Sequence, residues 1–243
     1  MLEARATFAK GRKSGDLGRA MPDLPVNAAV TPERLASALA ARLIHDAMGP
    51  ASGIVSAFDL LADPSAGALR EDALVLAAQS ARALVDILTF SRTVYGGGGA
   101  PLSIDELSAA ATTLFAGSRA TLEQRLDPGS SSAISGRIYL GLLQLMASGA
   151  AAGGKVVAVH AGSGARAAGG RIEISIEAAG PRVALGEQVY SGLAGEPPGA
   201  GLPHAWSAAY LIGAVARSAG GGVQAVGRDG GVSLRAVISA DMA

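Results

Sequence analysis

Apolar positions over residues 31–62 recur at steps of three and four. Leu35, Leu39, Leu43, Ala47, Ala51, Ile54, Phe58 and Leu61 fall on one stripe of a 3.6-residue wheel. Thr31-Pro32-Glu33 is a helix start: a hydroxyl N-cap, proline at the first helical position, and an acid at the positive end of the dipole. Asp63-Pro64-Ser65 ends this helix near Ala62, because proline disfavours helical conformation in the residue before it. A second helix is predicted from about Ala66 to Tyr95, with Leu69, Ala73, Leu76, Ser80, Leu84, Ile87 and Val94 on its stripe and Gly96 to Gly99 as a joint. Two long helices across a short turn form a hairpin with too little core to stand alone. Pairing of two copies into a four-helix bundle, a homodimer, is therefore expected.

Beyond the joint the pattern mixes helix and strand. Ile104 to Leu114 and Ser131 to Ala151 read as helices, and Lys155 to His160 and Arg171 to Glu177 as strands joined by a glycine-rich turn. Val183 to Leu193 reads as a short helix and Ala205 to Ser218 as a longer one. Val223 to Val226 and Val232 to Ser239 form a last hairpin across Arg228-Asp229-Gly230-Gly231. The fold class is α+β, with a helical hairpin leading into an α/β sandwich. The chain divides into an irregular tail over 1–27, holding Lys10, Arg12, Lys13 and Arg19, a hairpin over 28–99, and the sandwich over 100–243.

Composition narrows the functional classes. Apolar residues make up 49% of the 243, enough for real cores. Formal net charge is zero and aromatics are 4%, so neither a phosphate-attracting field nor a base-stacking platform is available and nucleic acid is not an expected partner. The absence of cysteine excludes disulfides, thiol catalysis and cysteine–zinc sites. No charge-free run of 18 apolar residues appears and the start lacks a signal-peptide core, so no membrane partner is expected and a cytoplasmic location is.

The candidate chemistry centres on His45, which falls opposite the apolar stripe and is predicted to face solvent. Gly49, Ser52, Ser56 and Asp59 follow on the same side, leaving room for another protein beside the ring. Pro50 leaves the Asp46 carbonyl without its helical donor, so a kink is expected one turn past the histidine. The run Ala41-Arg42-Leu43-Ile44-His45-Asp46-Ala47-Met48-Gly49-Pro50, a histidine followed by an acid with a proline five residues on, resembles the phospho-acceptor box of sensor histidine kinases. Neutral imidazole is a nucleophile near physiological pH, and phosphoryl transfer depends mainly on positioning and charge stabilisation. Asp46 is expected to hydrogen-bond a ring nitrogen or accept a proton, with a bent rotamer because adjacent helical residues diverge by about 100°. Arg42, one turn earlier, is a candidate contact for the phosphoryl group or an acidic partner.

Longer stretches resemble the ChpT-type histidine phosphotransferases of bacterial phosphorelays, over roughly residues 30–243. They include Arg42 to Asp46, Pro50-Ala51-Ser52-Gly53-Ile54-Val55-Ser56, Asp59-Leu60-Leu61-Ala62-Asp63-Pro64-Ser65, Gly192-Leu193-Ala194-Gly195-Glu196-Pro197 and Ala208-Ala209-Tyr210-Leu211. The resemblance implies a dimerisation and phosphotransfer bundle followed by a degenerate GHKL/Bergerat-like ATPase domain. The departures from active kinases lie at three places. The helix that would carry magnesium-binding asparagines reads Leu143-Gln144-Leu145-Met146-Ala147-Ser148-Gly149-Ala150, a poor donor set for octahedral magnesium. Ile176-Glu177-Ala178-Ala179-Gly180-Pro181-Arg182 has alanine where an adenine-reading aspartate would fall. The phosphate lid is reduced to Gly199-Ala200-Gly201-Leu202-Pro203-His204, with one backbone donor lost to proline.

The expected function is a histidine phosphotransferase that moves a phosphoryl group between receiver-domain aspartates through phosphohistidine. His45 and Asp46 are the catalytic candidates; Arg42, Gly49, Ser52, Ser56 and Asp59 are the partner-binding ones. Response-regulator and hybrid-kinase receiver domains are the expected partners. No cofactor or metal site is expected on this chain, magnesium coming from the receiver. Gly49 stands where some bifunctional kinases carry a water-orienting threonine or asparagine, which argues against intrinsic phosphatase action. The alternatives are an autophosphorylating kinase with a divergent nucleotide site and a non-catalytic receiver-binding adaptor. His160 and His204 lack convergent partners in the sequence and read as structural or surface residues.

Overall fold

The computed structural model describes residues 30–97, 99–116, 118–128, 130–161, 170–198 and 201–241. The predicted tail, the turn between the first two long strands, and Gly98, Gly199 and Ala200 lie outside them.

Helix α1 spans Pro32–Ala62 and opens as its sequence requires, the Thr31 hydroxyl accepting from the Arg34 amide at 3.4 Å. It runs on through Pro50 as one helix. The Asp63 carboxylate accepts from the amide (2.8 Å) and hydroxyl (2.7 Å) of Ser65, starting a 3-10 turn over Pro64–Leu69 that feeds α2, Arg70–Tyr95. The two helices pack along a seam of small residues. Ala57 and Ala73 are fully buried, and a Cβ on Gly53 would lie 2.5 Å from the Ser80 hydroxyl.

Three residues of the predicted stripes lie outside this seam. Phe58 is 60% exposed, and Leu69 and Leu76 also face outward. Close approach selects small side chains, so the larger ones turn away. Ile44, Met48, Val55 and Phe58, spaced four, seven and three apart, form an exposed apolar ribbon on α1, and Leu74, Val75, Val85 and Leu88 are exposed on α2. The stretch Pro64–Tyr95 is long and apolar enough, by length and composition, to cross a membrane; here it packs along α1.

The rest of the chain is a two-layer sandwich. Strand β1 (Leu102–Ser103) leads into α3 (Ile104–Phe115) through a capping box in which Ser103 and Glu106 bond each other's amides. Then come β2 (Ala120–Leu126), β3 (Ser130–Ser131), α4 (Ala133–Gly149), β4 (Gly154–Ala161), β5 (Arg171–Ala179), α5 (Glu187–Ala194), α6 (His204–Ser218), β6 (Gly222–Arg228) and β7 (Gly231–Ser239). The main sheet has the order β2-β4-β5-β7-β6, antiparallel except for β2 and β4. That parallel pair needs a crossover, which α4 supplies.

Alternation sets the layers. Val156 and Ala158, Ile172, Ile174 and Ile176, and Leu234, Ala236 and Ile238 point inward to a core shared with α4 and α6. The opposite sheet face is polar and carries Glu123 bridged to Lys155 and Arg125, and Glu173 to Arg235.

Strand β2 is absent from the sequence-based expectation. It alternates Ala120, Leu122, Gln124 and Leu126 against Thr121, Glu123 and Arg125, a signal blunted by the inward Gln124. That amide bonds Tyr139 (3.0 Å) and the Ser108 carbonyl (3.2 Å), so it belongs inside. The helix expected from Ser131 begins at Ala133, because Ser131 pairs with Leu102 and Ser132 is the N-cap. The helix expected from Val183 begins at Glu187, Val183 to Gly186 being extended.

Candidate functional site

His45 lies midway along α1 with its ring exposed. Ser52, Ser56 and Asp59 are exposed on the same side, and a Cβ on Gly49 would meet nothing within 4 Å. The apolar ribbon of Ile44, Met48 and Val55 runs beside them, so the ring stands between an open small-residue surface and an uncovered apolar one.

The third neighbour of His45 was not foreseen. The imidazole of His204, first residue of α6, lies nearly parallel to that of His45, with 5.8 Å between centroids and 14° between planes. The expectation that His204 has no partner is thus corrected. Arg42 Nη1 donates to the His204 carbonyl at 3.1 Å, and the Ser207 hydroxyl donates to the same oxygen at 3.0 Å. Trp206, fully buried, donates from Nε1 to the Glu196 carbonyl at 3.0 Å and stacks on Tyr210, which locks the start of α6 against the loop after α5. That loop leaves α5 through Gly195 in the left-handed region at φ +82°. Glu33, Arg34, Ser37 and Ala41 line an open groove of about 390 Å³ together with Leu202 and His204.

Arg42 and Asp46 play parts other than those expected from their spacing. Arg42 is only 12% exposed in its side chain and is spent on the His204 carbonyl. The Asp46 carboxylate, expected at a ring nitrogen of His45, lies 3.6 Å from Arg42 Nε. The divergence of adjacent helical positions explains it: the side chain one turn back is nearer than the one next door. Arg42 thus ties α1 to α6 through the His204 carbonyl.

A second tie joins α2 to α4. Arg137 Nε donates to the Val94 carbonyl at 2.6 Å, and the Tyr95 hydroxyl donates to Gln144 Oε1. Burial pushes the Tyr95 hydroxyl pKa up, the nearby Arg42 charge opposes that and the Asp46 charge adds to it. Arg42, Asp46, Tyr95 and Gln144 therefore form one polar junction between hairpin and sandwich. Gln144 is the residue standing in place of a metal-binding asparagine; it is occupied by Tyr95, and Ser148 donates to its carbonyl at 3.3 Å. Ala178 is buried in β5, and Gly180 donates from its amide to Gly230 at 2.9 Å. Among the described residues no group of three or more His, Cys, Asp or Glu side chains is placed to hold a metal ion.

His160 is the remaining histidine. It is fully buried on β4 with the edge of its ring toward Tyr139, neither ring nitrogen has a hydrogen-bond partner, and burial holds its pKa below the ordinary value.

A family model described as histidine phosphotransferase C-terminal domain matches residues 104–230. No curated protein sequence gives a significant match. Among solved structures, one described as a bacterial phosphotransferase superposes with a TM-score of 0.72 at 19% identity, covering 86% of this chain and 98% of its own. The histidine kinase AdeS of Acinetobacter baumannii gives 0.43 at 13% identity, covering 82% and 95%. The histidine kinase domain of a blue-light activated kinase from Erythrobacter litoralis gives 0.46 at 12%, covering 80% and 94%. The first of these shows a shared fold.

Proposed function

Since the chain belongs to the family of the histidine phosphotransferase C-terminal domain, we propose that it is a phosphorelay intermediate in which His45 takes a phosphoryl group from one receiver-domain aspartate and yields it to another. The observation that carries this reading is the exposed ring of His45, held at the level of the junction and flanked by Gly49 and Ser52. A partner is able to bring an acyl phosphate in line with a ring nitrogen there without displacing a side chain at Gly49.

The lone pair of one ring nitrogen attacks phosphorus. The N–P bond forms as the P–O bond to the partner's aspartate breaks, and the electron pair leaves with the carboxylate. The proton on the other ring nitrogen exchanges with solvent. Return to a second receiver is the same step reversed. Transfer of this kind needs positioning and charge neutralisation above all. Magnesium in the receiver supplies the second, and this chain supplies the first.

The acting species is a homodimer in this reading. The exposed ribbon of Ile44, Met48, Val55 and Phe58 with the outward residues of α2 supports pairing of two hairpins into a four-helix bundle. A cytoplasmic location belongs to the same reading, with the apolar face of α2 covered by a second copy rather than by lipid. In this reading ATP is not the donor, and the engagement of Gln144 with Tyr95 inside the protein supports it.

The test offers purified protein a phosphorylated receiver domain and, separately, labelled ATP with magnesium. Label on His45 from the receiver alone, lost in His45→Ala with dimerisation intact, is the expected result. Label from ATP alone would overturn the reading in favour of a kinase, and label from neither, with a cognate receiver in hand, in favour of an adaptor.

A further inference from the structure

We infer that His204 is a second component of the phosphoryl site, donating a hydrogen bond to the phosphoryl group carried by His45. The inference rests on His45 being the phospho-acceptor.

The ring pair carries the argument. Phosphorus bound to an imidazole nitrogen lies in the plane of that ring, and its tetrahedral geometry places oxygens above and below the plane. A neighbour ring lying parallel and offset holds its own edge, which carries its N–H, beside one of those sets of oxygens. At 5.8 Å and 14° the His45 and His204 rings are an offset-stacked pair, so a group attached at the edge of one lies close to the edge of the other. Both rings are exposed, so nothing must move for a phosphoryl group to arrive.

The mounting of His204 points the same way. Its carbonyl accepts two hydrogen bonds, from Arg42 and from the Ser207 hydroxyl, and its helix is fixed by the buried Trp206. The residue itself is exposed. Arg42, in turn, is tied to Asp46, the residue after His45. A backbone held this firmly beside an exposed, otherwise uncommitted imidazole is a preorganised donor. Arg42 and Asp46 then act through His204, as positioning residues. Imidazole is suited to the task, since it offers an N–H in both of its protonation states.

A donor to phosphohistidine and to nothing in the unphosphorylated protein displaces the equilibrium between receiver and His45. A charge-assisted hydrogen bond shifts such an equilibrium by about tenfold. The experiment measures the ratio of phospho-His45 to phospho-receiver at equilibrium in full-length protein, for wild type, His204→Phe and His204→Gln. Phenylalanine keeps a flat ring and removes the donor; glutamine keeps a donor and removes the ring. We expect the ratio to fall about tenfold in His204→Phe and to recover in His204→Gln, with melting temperatures matching wild type. Equal ratios in all three proteins overturn the inference and leave His45 as acceptor. A loss in His204→Gln as large as in His204→Phe also overturns it, by assigning the effect to the ring. Absence of label on His45 in wild type, with an active receiver, removes the phospho-acceptor reading itself and is distinguishable from both.

Discussion

Replacing Arg42 by methionine tests whether this side chain is a clamp or a free surface arm. Methionine keeps an aliphatic stem and removes the guanidinium. The bond lost to the carbonyl of the exposed His204, 3.1 Å long, belongs at the low end of the charge-assisted class, about 1.5 kcal/mol. The pair with Asp46, at 3.6 Å and with the carboxylate 37% exposed, adds only about 0.3–0.5 kcal/mol. Relief of the buried Arg42 Nε, which has no hydrogen-bond partner, offsets a fraction of this. The net expectation is a loss of about 2 kcal/mol, which for a chain of this length lowers Tm by roughly 4–8 °C. Asp46→Asn breaks only the weaker contact and is expected to cost less than about 0.5 kcal/mol. Thermal unfolding followed by circular dichroism, at one protein concentration because the proposed dimerisation would make Tm concentration-dependent, separates the two. A Tm for Arg42→Met within about 1 °C of wild type would refute the clamp. So would an Asp46→Asn variant as unstable as Arg42→Met.

Other expectations follow from the same junction and from the sheet. Tyr95→Phe removes the bond to Gln144 and should cost about 1 kcal/mol in urea unfolding, while Gln144→Asn, which shortens the reach to Tyr95, should also destabilise and should gain no thermal shift with ATP and magnesium. His160 has a folded pKa below its unfolded value of about 6.5, so the unfolded chain binds the proton more readily. Stability is then full above about pH 6.5 and declines as pH falls toward the folded pKa, by up to about 1.4 kcal/mol per pH unit. His160→Leu should flatten that slope between about pH 7 and 5, and parallel slopes in urea midpoints would show the reasoning wrong. Val55→Asp combined with Phe58→Asp should convert a dimer to a monomer in light scattering, since each places a charge in the exposed ribbon.

What could be read ahead of the structure was local. The start of α1 was legible because Thr31, Pro32 and Glu33 each favour it for an independent reason, and the inward residues of β4, β5 and β7 follow a clean alternation. What could not be read was pairing across distance. A wheel identifies an apolar side of α1 but does not tell the small seam at Gly53 and Ala57, which meets α2, from the bulky ribbon at Val55 and Phe58, which stays largely exposed among the described residues. The exposed placement of His45 was legible because its position on the helix wheel falls opposite the apolar stripe. His204 was not, since the contact between its carbonyl and Arg42 spans 162 residues and nothing near His204 announces it. Spacing places Arg42 and Asp46 near the histidine without ranking which of several partners each meets, and here Arg42 meets the His204 carbonyl and Asp46 meets Arg42.

The two ties between hairpin and sandwich have a kinetic consequence. Swinging the sandwich about the glycine joint would break the Arg42 contact with His204 on one side and the Arg137 contact with Val94 on the other, together with the Tyr95–Gln144 bond. The surface around His45 is thus assembled before any partner arrives, from segments at opposite ends of the chain. A docking protein loses little entropy in ordering it. In the proposed relay, throughput would be governed by encounter and departure of partners rather than by an internal rearrangement, and would scale with their concentrations.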